Sequence, residues 1–225
     1  MTCLHFFSAL PRLQNQTNLV FANSTIRQTL HISIGAEQIR VRLSNAFGTT
    51  DLPITAVTIA LPFNGSAGAS AIQPGTVKSL TFSGNASAVI PNGALIVSDP
   101  IDFAVKPQSV LAVTIYLATG QPSNYVTSHP GSRTTSWFTF GNYVNVANLT
   151  GASVQSAAHW YAQSLLMILL VAEHHSFRYF LSAVEGWVHK TASAFAIVGD
   201  SITDGRGSTT DQNNRFALFP QSPLA

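Results

Sequence analysis

The feature that most constrains this chain is the alternation of apolar and polar residues that recurs between Leu19 and Tyr143. IRVRLS (39–44) alternates three aliphatic residues with two arginines and a serine, and VLAVTIYLA (110–118) alternates large aliphatic residues with smaller or more polar ones. Turn-forming stretches such as PFNGSAG, PNG and TGQPSN separate such runs. Alternation with period two predicts strands that bury one face, and many short strands joined by turns predict two packed sheets. We therefore predict a mainly β fold, with an N-terminal β-sandwich of jelly-roll-like topology.

The surface of this protein is polar and carries few charges. Charged residues are 9% of the chain, against about 25% in an average soluble domain. The net charge is +2, and the one close basic pair, Arg40 and Arg42, alternates with apolar residues like the solvent face of a strand. This distribution argues against nucleic acid as a partner.

Asparagine sequons point to an extracellular protein. The sequence contains more Asn-x-Ser/Thr sequons than chance would give, which is typical of secreted glycoproteins. The first residues, MTCLHFFSALPRLQ, do not form a convincing signal peptide. The single cysteine, Cys3, excludes an internal disulfide. The five sequons begin at Asn15, Asn23, Asn64, Asn85 and Asn148.

The alternation ends before residue 158, and the pattern that follows is different. AQSLLMILLVAEHH (162–175) contains an unbroken apolar run. A helix needs about 20 apolar residues to span a bilayer, and this run is shorter, so we expect no membrane span. SAFAIV (193–198) is a compact apolar run of the kind that is buried on both faces in a parallel sheet.

A GDS tripeptide, residues 199–201, directly follows that second run. In α/β sheets, catalytic groups lie where a strand ends and turns toward a helix. Ser201 would there expose its hydroxyl, and its backbone amide could donate to an oxyanion. The competing interpretation is that Ser201 caps a helix while Asp200 makes a turn hydrogen bond. These residues alone support the catalytic and the helix-capping interpretations of Ser201 about equally.

VGDSITDGRGS (198–208) resembles block I of the SGNH (GDSL) hydrolases, which are serine esterases with a flavodoxin-like α/β/α fold. RQTLHISIGAEQIRVRLSNAFG (27–48), LPITAVTIAL (52–61), SHPGSRTTSW (128–137) and HWY (159–161) resemble the β-sandwich that precedes the catalytic domain in an extracellular branch of that family. The resemblance implies a secreted ester hydrolase without a cofactor, acting on an ester substrate such as an acylated polysaccharide.

The resemblance also assigns roles within block I. Ser201 would be the nucleophile, and its amide would form part of the oxyanion hole. The supporting turn would contain Gly199, Asp200, Asp204 and Gly205.

The other catalytic groups of the family do not occur in this sequence. There is no Gly-x-Asn-Asp, and no aspartate is followed by a histidine three residues later. Because a serine without a base is a poor nucleophile, we expect the chain as written to be nearly inactive. The available histidines do not replace the base, and none has zinc-ligand spacing. These are His31 on a strand surface, His129 in a structural role, the adjacent His174 and His175, and His189 at the amino end of its strand.

The sequence predicts three regions. Residues 1–158 form the sandwich, 159–193 form a linker, and 194–225 begin an SGNH domain that is truncated after block I. Residues 159–161 and 180–187 read as one continuous family-like stretch, so we interpret 162–179 as an aberrant insertion from an unspliced intron. We expect the residues after 158 to be poorly ordered or to pack opportunistically on the sandwich.

The alternative function is a non-catalytic carbohydrate-binding module. Aromatic side chains available for stacking on sugars are Tyr125, Trp137, Phe138 and Tyr143. The competing interpretation of these four is packing within and between the sheets, which we favour.

Overall fold

A computed structural model describes residues 19–123, 125–129, 132–151, 154–157, 178–188, 190, 192, 198–200, 203 and 208–214. These residues form antiparallel strands and turns, with two short 3-10 turns, Phe63–Gly65 and Pro74–Thr76. The prediction of a mainly β fold is confirmed. The strands are β1 (Ser24–Ile32), β2 (Ala36–Ser44), β3 (Leu52–Ile54), β4 (Ala56–Ala60), β5 (Lys78–Ser79), β6 (Ala88–Ile90), β7 (Leu95–Val97), β8 (Ile101–Val105), β9 (Ser109–Leu117), β10 (Ser128–His129), β11 (Ser136–Phe140), β12 (Gln155–Ala157), β13 (Arg178–Tyr179) and β14 (Leu181–Trp187).

The strands form two larger sheets and two short strand pairs. The first sheet has six strands in the order β12-β11-β1-β9-β4-β5, and its central pair, β1 and β9, stays in register along the whole of both strands. In the second sheet β2 pairs with β14 and also with β7 and β8. The short pairs are β3 with β6 and β10 with β13.

The main core brings the inward faces of the two larger sheets together, which is the arrangement of a β-sandwich. In β2, Ile39, Val41 and Leu43 are at most 1% exposed, and they belong to one cluster with Ile26 of β1 and Ile115 of β9. The alternation read from the sequence therefore marks the buried face of this strand. Burial of an aliphatic side chain of this size contributes about 1.5–3 kcal/mol relative to exposure.

The six-stranded sheet is also covered on its other face. Thr114 of β9 is 1% exposed although its neighbours in sequence point into the core. Connecting segments cover this face, and one of the contacts is a hydrogen bond of 2.8 Å from Thr58 Oγ1 to the carbonyl oxygen of Val144. Thr114 of β9 therefore faces protein, and its hydroxyl oxygen accepts a hydrogen bond from Arg27 Nε at 2.9 Å.

The sandwich extends into the segment that the sequence assigned to a linker. β14 pairs with β2, and Tyr179 and Phe180 are each 1% exposed within the main core. Gln28 holds Tyr179 in place, since its side-chain amide donates to the Tyr179 carbonyl at 2.9 Å. The expectation that residues after 158 pack only opportunistically is therefore wrong for residues 178–188. Tyr179 also belongs to this core although we placed it in an aberrant insertion.

Candidate functional site

The GDS turn lies partly outside the described residues, and these leave out Ser201, Asp204 and Gly205. Gly199 and Asp200 are described and exposed. A Cβ at position 199 would lie 2.2 Å from Oγ1 and 2.6 Å from Cβ of Thr203. A side chain there would displace Thr203, so the turn requires glycine at position 199. Because Ser201 and Ile202 lie outside the described residues, the turn predicted from the GDS motif stays a prediction.

The residue before this turn has an unusual environment for an aliphatic side chain. Val198, the last residue of the apolar run 193–198, is 98% exposed. The other residues of that run lie outside the described part of the chain. The predicted parallel sheet and flavodoxin-like fold therefore stay predictions.

Two of the candidate histidines are described, and both lie in strands of the sandwich. His31 is in β1 opposite Val110, and His129 is in β10 opposite Arg178. Burial lowers the pKa of His31, and a hydrogen bond with the backbone of Gln108 opposes this effect. His174, His175 and His189 lie outside the described residues.

Of the four aromatic residues that the sequence offered for sugar stacking, at least two have packing roles. Phe138 is fully buried, and its ring lies 5.8 Å from the ring of Phe21. Trp137 is half-buried, and its indole N–H donates to the carbonyl oxygen of Gly68 at 2.7 Å. Tyr125 is half-buried, and Tyr143 is 39% exposed.

A different aromatic side chain is prominent on the surface. Trp187, at the end of β14, is 59% exposed, and Cζ of Arg40 lies 5.3 Å from its ring centroid. Glu185 bridges two arginines of β2, with 2.6 Å to Arg40 and 3.2 Å to Arg42. We call Trp187, Arg40, Arg42 and Glu185 the tryptophan face. The alternating pattern of β2 marks the arginines as solvent-facing, whereas no sequence pattern indicates the tryptophan beside them.

A second feature that the sequence did not reveal is a buried cation. Arg27 of β1 is 0% exposed, and the hydrogen bonds of its guanidinium go to uncharged oxygen atoms. Nε donates to Thr114 Oγ1 at 2.9 Å. The two terminal nitrogens donate to the carbonyl oxygens of Ser70, Ala147, Tyr143 and Val146 at 2.7, 3.4, 3.4 and 2.7 Å respectively.

These five oxygens match the five N–H groups of a guanidinium. Burial lowers the pKa of Arg27 to about 10, which leaves the side chain protonated at neutral pH. Arg27 therefore joins β1 and β9 to the segments that cover them. With all its donors occupied, its role is structural.

A shallow groove of about 700 Å³ lies beside Leu19, Pro53 and Val89. Its one ionisable lining residue is Asp51, whose carboxylate accepts a hydrogen bond from the backbone N–H of Asn92. Neither a nucleophile paired with a base nor an exposed aromatic ring lines this groove among the described residues. The groove therefore has fewer groups that could bind or react with a ligand than the tryptophan face or the GDS motif.

Within the described ranges, no group of three histidine, cysteine, aspartate or glutamate side chains could hold a metal ion. In the same part of the chain, no helix has the length and apolar character needed to cross a membrane. Neither a protein-family model nor a curated protein matches this sequence.

Proposed function

We propose that this chain carries the β-sandwich and the nucleophile turn of a secreted SGNH-type serine esterase. In this proposal Ser201 is the nucleophile, and the residues from 194 onward begin a flavodoxin-like catalytic domain behind a jelly-roll-like sandwich. The observation that carries the proposal is the sequence VGDSITDGRGS next to segments that resemble the family's sandwich. The requirement for glycine at position 199 supports it, because a tight turn can present the following serine.

The sequons support an extracellular location. The asparagines at positions 23, 64, 85 and 148 are all exposed, and the fifth sequon lies outside the described residues. Exposure is what a glycosylation site requires. Treatment of the secreted protein with an N-glycosidase should lower its mass, and an unchanged mass would count against this location.

The proposed chemistry is acyl transfer through serine. Ser201 Oγ attacks the ester carbonyl carbon, and the backbone N–H of Ser201 donates to the oxyanion that forms. Collapse of this intermediate breaks the bond to the alcohol and leaves an acyl-enzyme, which water hydrolyses to the free acid. The serine proton must pass to a base and from there to the departing alcohol. The family uses an Asp-x-x-His for this, and residues 202–225 do not contain one.

The test compares two polypeptides and one substitution. The transcript is sequenced across codons 155 to 225 and beyond, and the longest polypeptide that it encodes is assayed with p-nitrophenyl acetate beside the 225-residue chain. We expect turnover that depends on Ser201 if the transcript continues into Asp-x-x-His, and only background turnover from the 225-residue chain. If the longer protein with Asp-x-x-His hydrolyses the ester equally well after Ser201→Ala, the proposal is wrong.

A second candidate function is carbohydrate binding at the tryptophan face. An exposed indole ring provides an apolar surface for the C–H groups of a sugar ring. Arg40 lies beside the ring, and its ion-pair partner Glu185, which also contacts Arg42, adds further donors and acceptors on the same strand pair. We propose this function for the sandwich either alone or beside the esterase, where it would hold the enzyme on an acylated polysaccharide.

Affinity electrophoresis in gels that contain xylan or polygalacturonate tests this second candidate. We expect the polysaccharide to retard the protein and Trp187→Ala to abolish the retardation. Phe63→Ala is the matched control, because Phe63 is 55% exposed in a different part of the sandwich. Retardation that survives Trp187→Ala, or no retardation of the unaltered protein, would rule out this binding face.

A further inference from the structure

We propose that the sandwich carries a docking site for the loop that follows the GDS turn. The site is formed by Gly68, Arg133 and Thr135, and it receives the carboxylate of Asp211. We call residues 208–214 the docked loop. The contact itself does not depend on whether Ser201 is catalytic.

The carboxylate of Asp211 is held by both donors of one residue. Thr135 donates its backbone N–H to Oδ1 at 2.7 Å and its hydroxyl to Oδ2 at 2.6 Å. The backbone N–H of Asp211 donates to the carbonyl oxygen of Arg133 at 3.0 Å. Hydrogen bonds with an ionised acceptor are shorter and stronger than neutral ones. This arrangement therefore favours a carboxylate, because its negative charge strengthens both hydrogen bonds, whereas an asparagine amide supplies only one, uncharged, accepting oxygen.

The sandwich side of this site has the space that the carboxylate needs. A Cβ at Gly68 would lie 2.2 Å from both Cγ and Oδ1 of Asp211. Gly68 is held on both sides, since its N–H donates to Thr29 Oγ1 at 2.7 Å and its carbonyl accepts the indole N–H of Trp137 at 2.7 Å. The glycine thus forms a fixed wall of the site, and any larger residue would fill the position of the carboxylate.

The docked loop is folded back on itself. The backbone N–H of Thr209 donates to Asn214 Oδ1 at 3.1 Å, and that of Gln212 donates to the carbonyl of Thr209 at 3.4 Å. Asp211 has φ +61°, a conformation that costs energy for a residue with a side chain. The contacts with Thr135 and Arg133 compensate for this cost, so the loop is specifically positioned on the sandwich.

Asp211 follows Ser201 by ten positions in the sequence. If Ser201 is the nucleophile, a statement that rests on the proposed function, the docked loop tethers the chain to the sandwich ten positions after it. The sandwich would then be a positioning element of the catalytic domain. Thr135, which lies in SHPGSRTTSW, would do this from one of the segments that carry the family resemblance.

Amide hydrogen exchange of the 225-residue protein tests the docking contact. We expect Asp211→Ala to raise the exchange rate of the Thr135 N–H about tenfold or more, because it removes a hydrogen bond to a charged group. Asp211→Asn should raise this rate less, because Oδ1 of asparagine still accepts the bond without the charge. The amides of β9 should exchange at the rate of the unaltered protein. Asp102→Asn, the same chemical change at a carboxylate of the other sheet, is the matched control and should leave Thr135 unaffected.

Two variants on the sandwich side sharpen the test. Thr135→Ser keeps the hydroxyl and should retain the protection of the Asp211 N–H, whereas Thr135→Val should lose it. Gly68→Ala should raise Thr135 exchange more when Asp211 is present than in the Asp211→Ala background, because only the strain of a side chain at φ +68° remains in that background. Unchanged Thr135 exchange in both Asp211 variants, or an equal increase at β9, would overturn the proposal. Ester hydrolysis is not measured, so these outcomes are independent of those that test the esterase.

Discussion

Two residues near opposite ends of the described chain have the opposite burial to that expected from their side chains. Near its start, the charged side chain of Arg27 is 0% exposed, whereas near its end the aliphatic side chain of Val198 is 98% exposed. Arg27 can be buried because five oxygen atoms accept its hydrogen bonds. Val198 is not covered by any strand or loop of the sandwich. At these two positions, burial follows the supply of contacting partners and not the polarity of the side chain.

The largest effect is expected from removing the buried cation. Arg27→Met should lower the free energy of unfolding by roughly 5 kcal/mol, since it leaves four partly buried carbonyl oxygens and the buried hydroxyl of Thr114 without their donor. Equilibrium denaturation in urea, followed by tryptophan fluorescence, measures this loss.

Arg40→Met is the control for this substitution. Arg40 is bonded to Glu185 at the surface, so its loss should cost no more than about 1 kcal/mol. Equal losses from the two substitutions would show that the burial of Arg27 is not what makes it important.

The next largest effect concerns the part of the sandwich that lies after residue 158. Phe180→Ala should lower the free energy of unfolding by about 4 kcal/mol, because it removes a buried ring and leaves a cavity. Val188→Ala, at an exposed residue directly after β14, should change it by no more than about 0.5 kcal/mol. If Phe180→Ala were as mild as the control, residues 178–188 would not belong to the core.

A pH-dependent effect follows from the buried tyrosine. Burial raises the pKa of Tyr179 above its ordinary value of 10.0. Above pH 10 the unfolded chain loses this proton while the folded protein keeps it, so the free energy of unfolding should fall by up to about 1.4 kcal/mol per pH unit. The lowered pKa of Arg27 acts in the opposite direction between about pH 10 and 12.5.

Tyr179→Phe separates these two contributions. The variant should lose the downward slope above pH 10 and keep any upward contribution from Arg27. Urea denaturation at several pH values between 8 and 11 measures the difference. If the unaltered protein and the variant showed equal slopes, Tyr179 would not keep its proton in the folded state.

The smallest effect is expected at the exposed valine. Val198→Ser should change the free energy of unfolding by no more than about 0.5 kcal/mol. Ile26→Ala, at a fully buried residue of β1, should cost about 2–5 kcal/mol in the same assay. A large loss from Val198→Ser would show that residue 198 is covered in solution.

Local patterns explain why much of the sandwich could be predicted from the sequence. The face that β2 buries follows from the alternation of Ile39, Val41 and Leu43, and the turn in PNG contains Gly93 at a positive φ. β14 was harder to recognise, because the residues that complete its sheet lie far away in sequence. The position of Tyr179 in the core likewise depends on partners that no local pattern reveals.

The contacts of Arg27, Trp187 and Asp211 are harder to predict than the strands, because they involve residues that are distant in sequence. Four of the five acceptors for Arg27 are backbone carbonyls, which any residue type supplies, so the sequence carries no sign of them. Trp187 contacts Arg40, and Asp211 contacts Thr135, only in the folded protein, because these partners are far apart in sequence. The GDS motif could be proposed from the sequence alone because it consists of consecutive residues.

The pairing of β14 with β2 also bears on how the protein is made. Arg40 and Glu185, which join the two strands, are 145 residues apart in the chain. At typical synthesis rates of about 5–20 residues per second, β2 leaves the ribosome several seconds before β14 exists. During that interval one edge of β2 can pair with another chain. The second sheet therefore has an unpaired strand edge until its last strand has been synthesised.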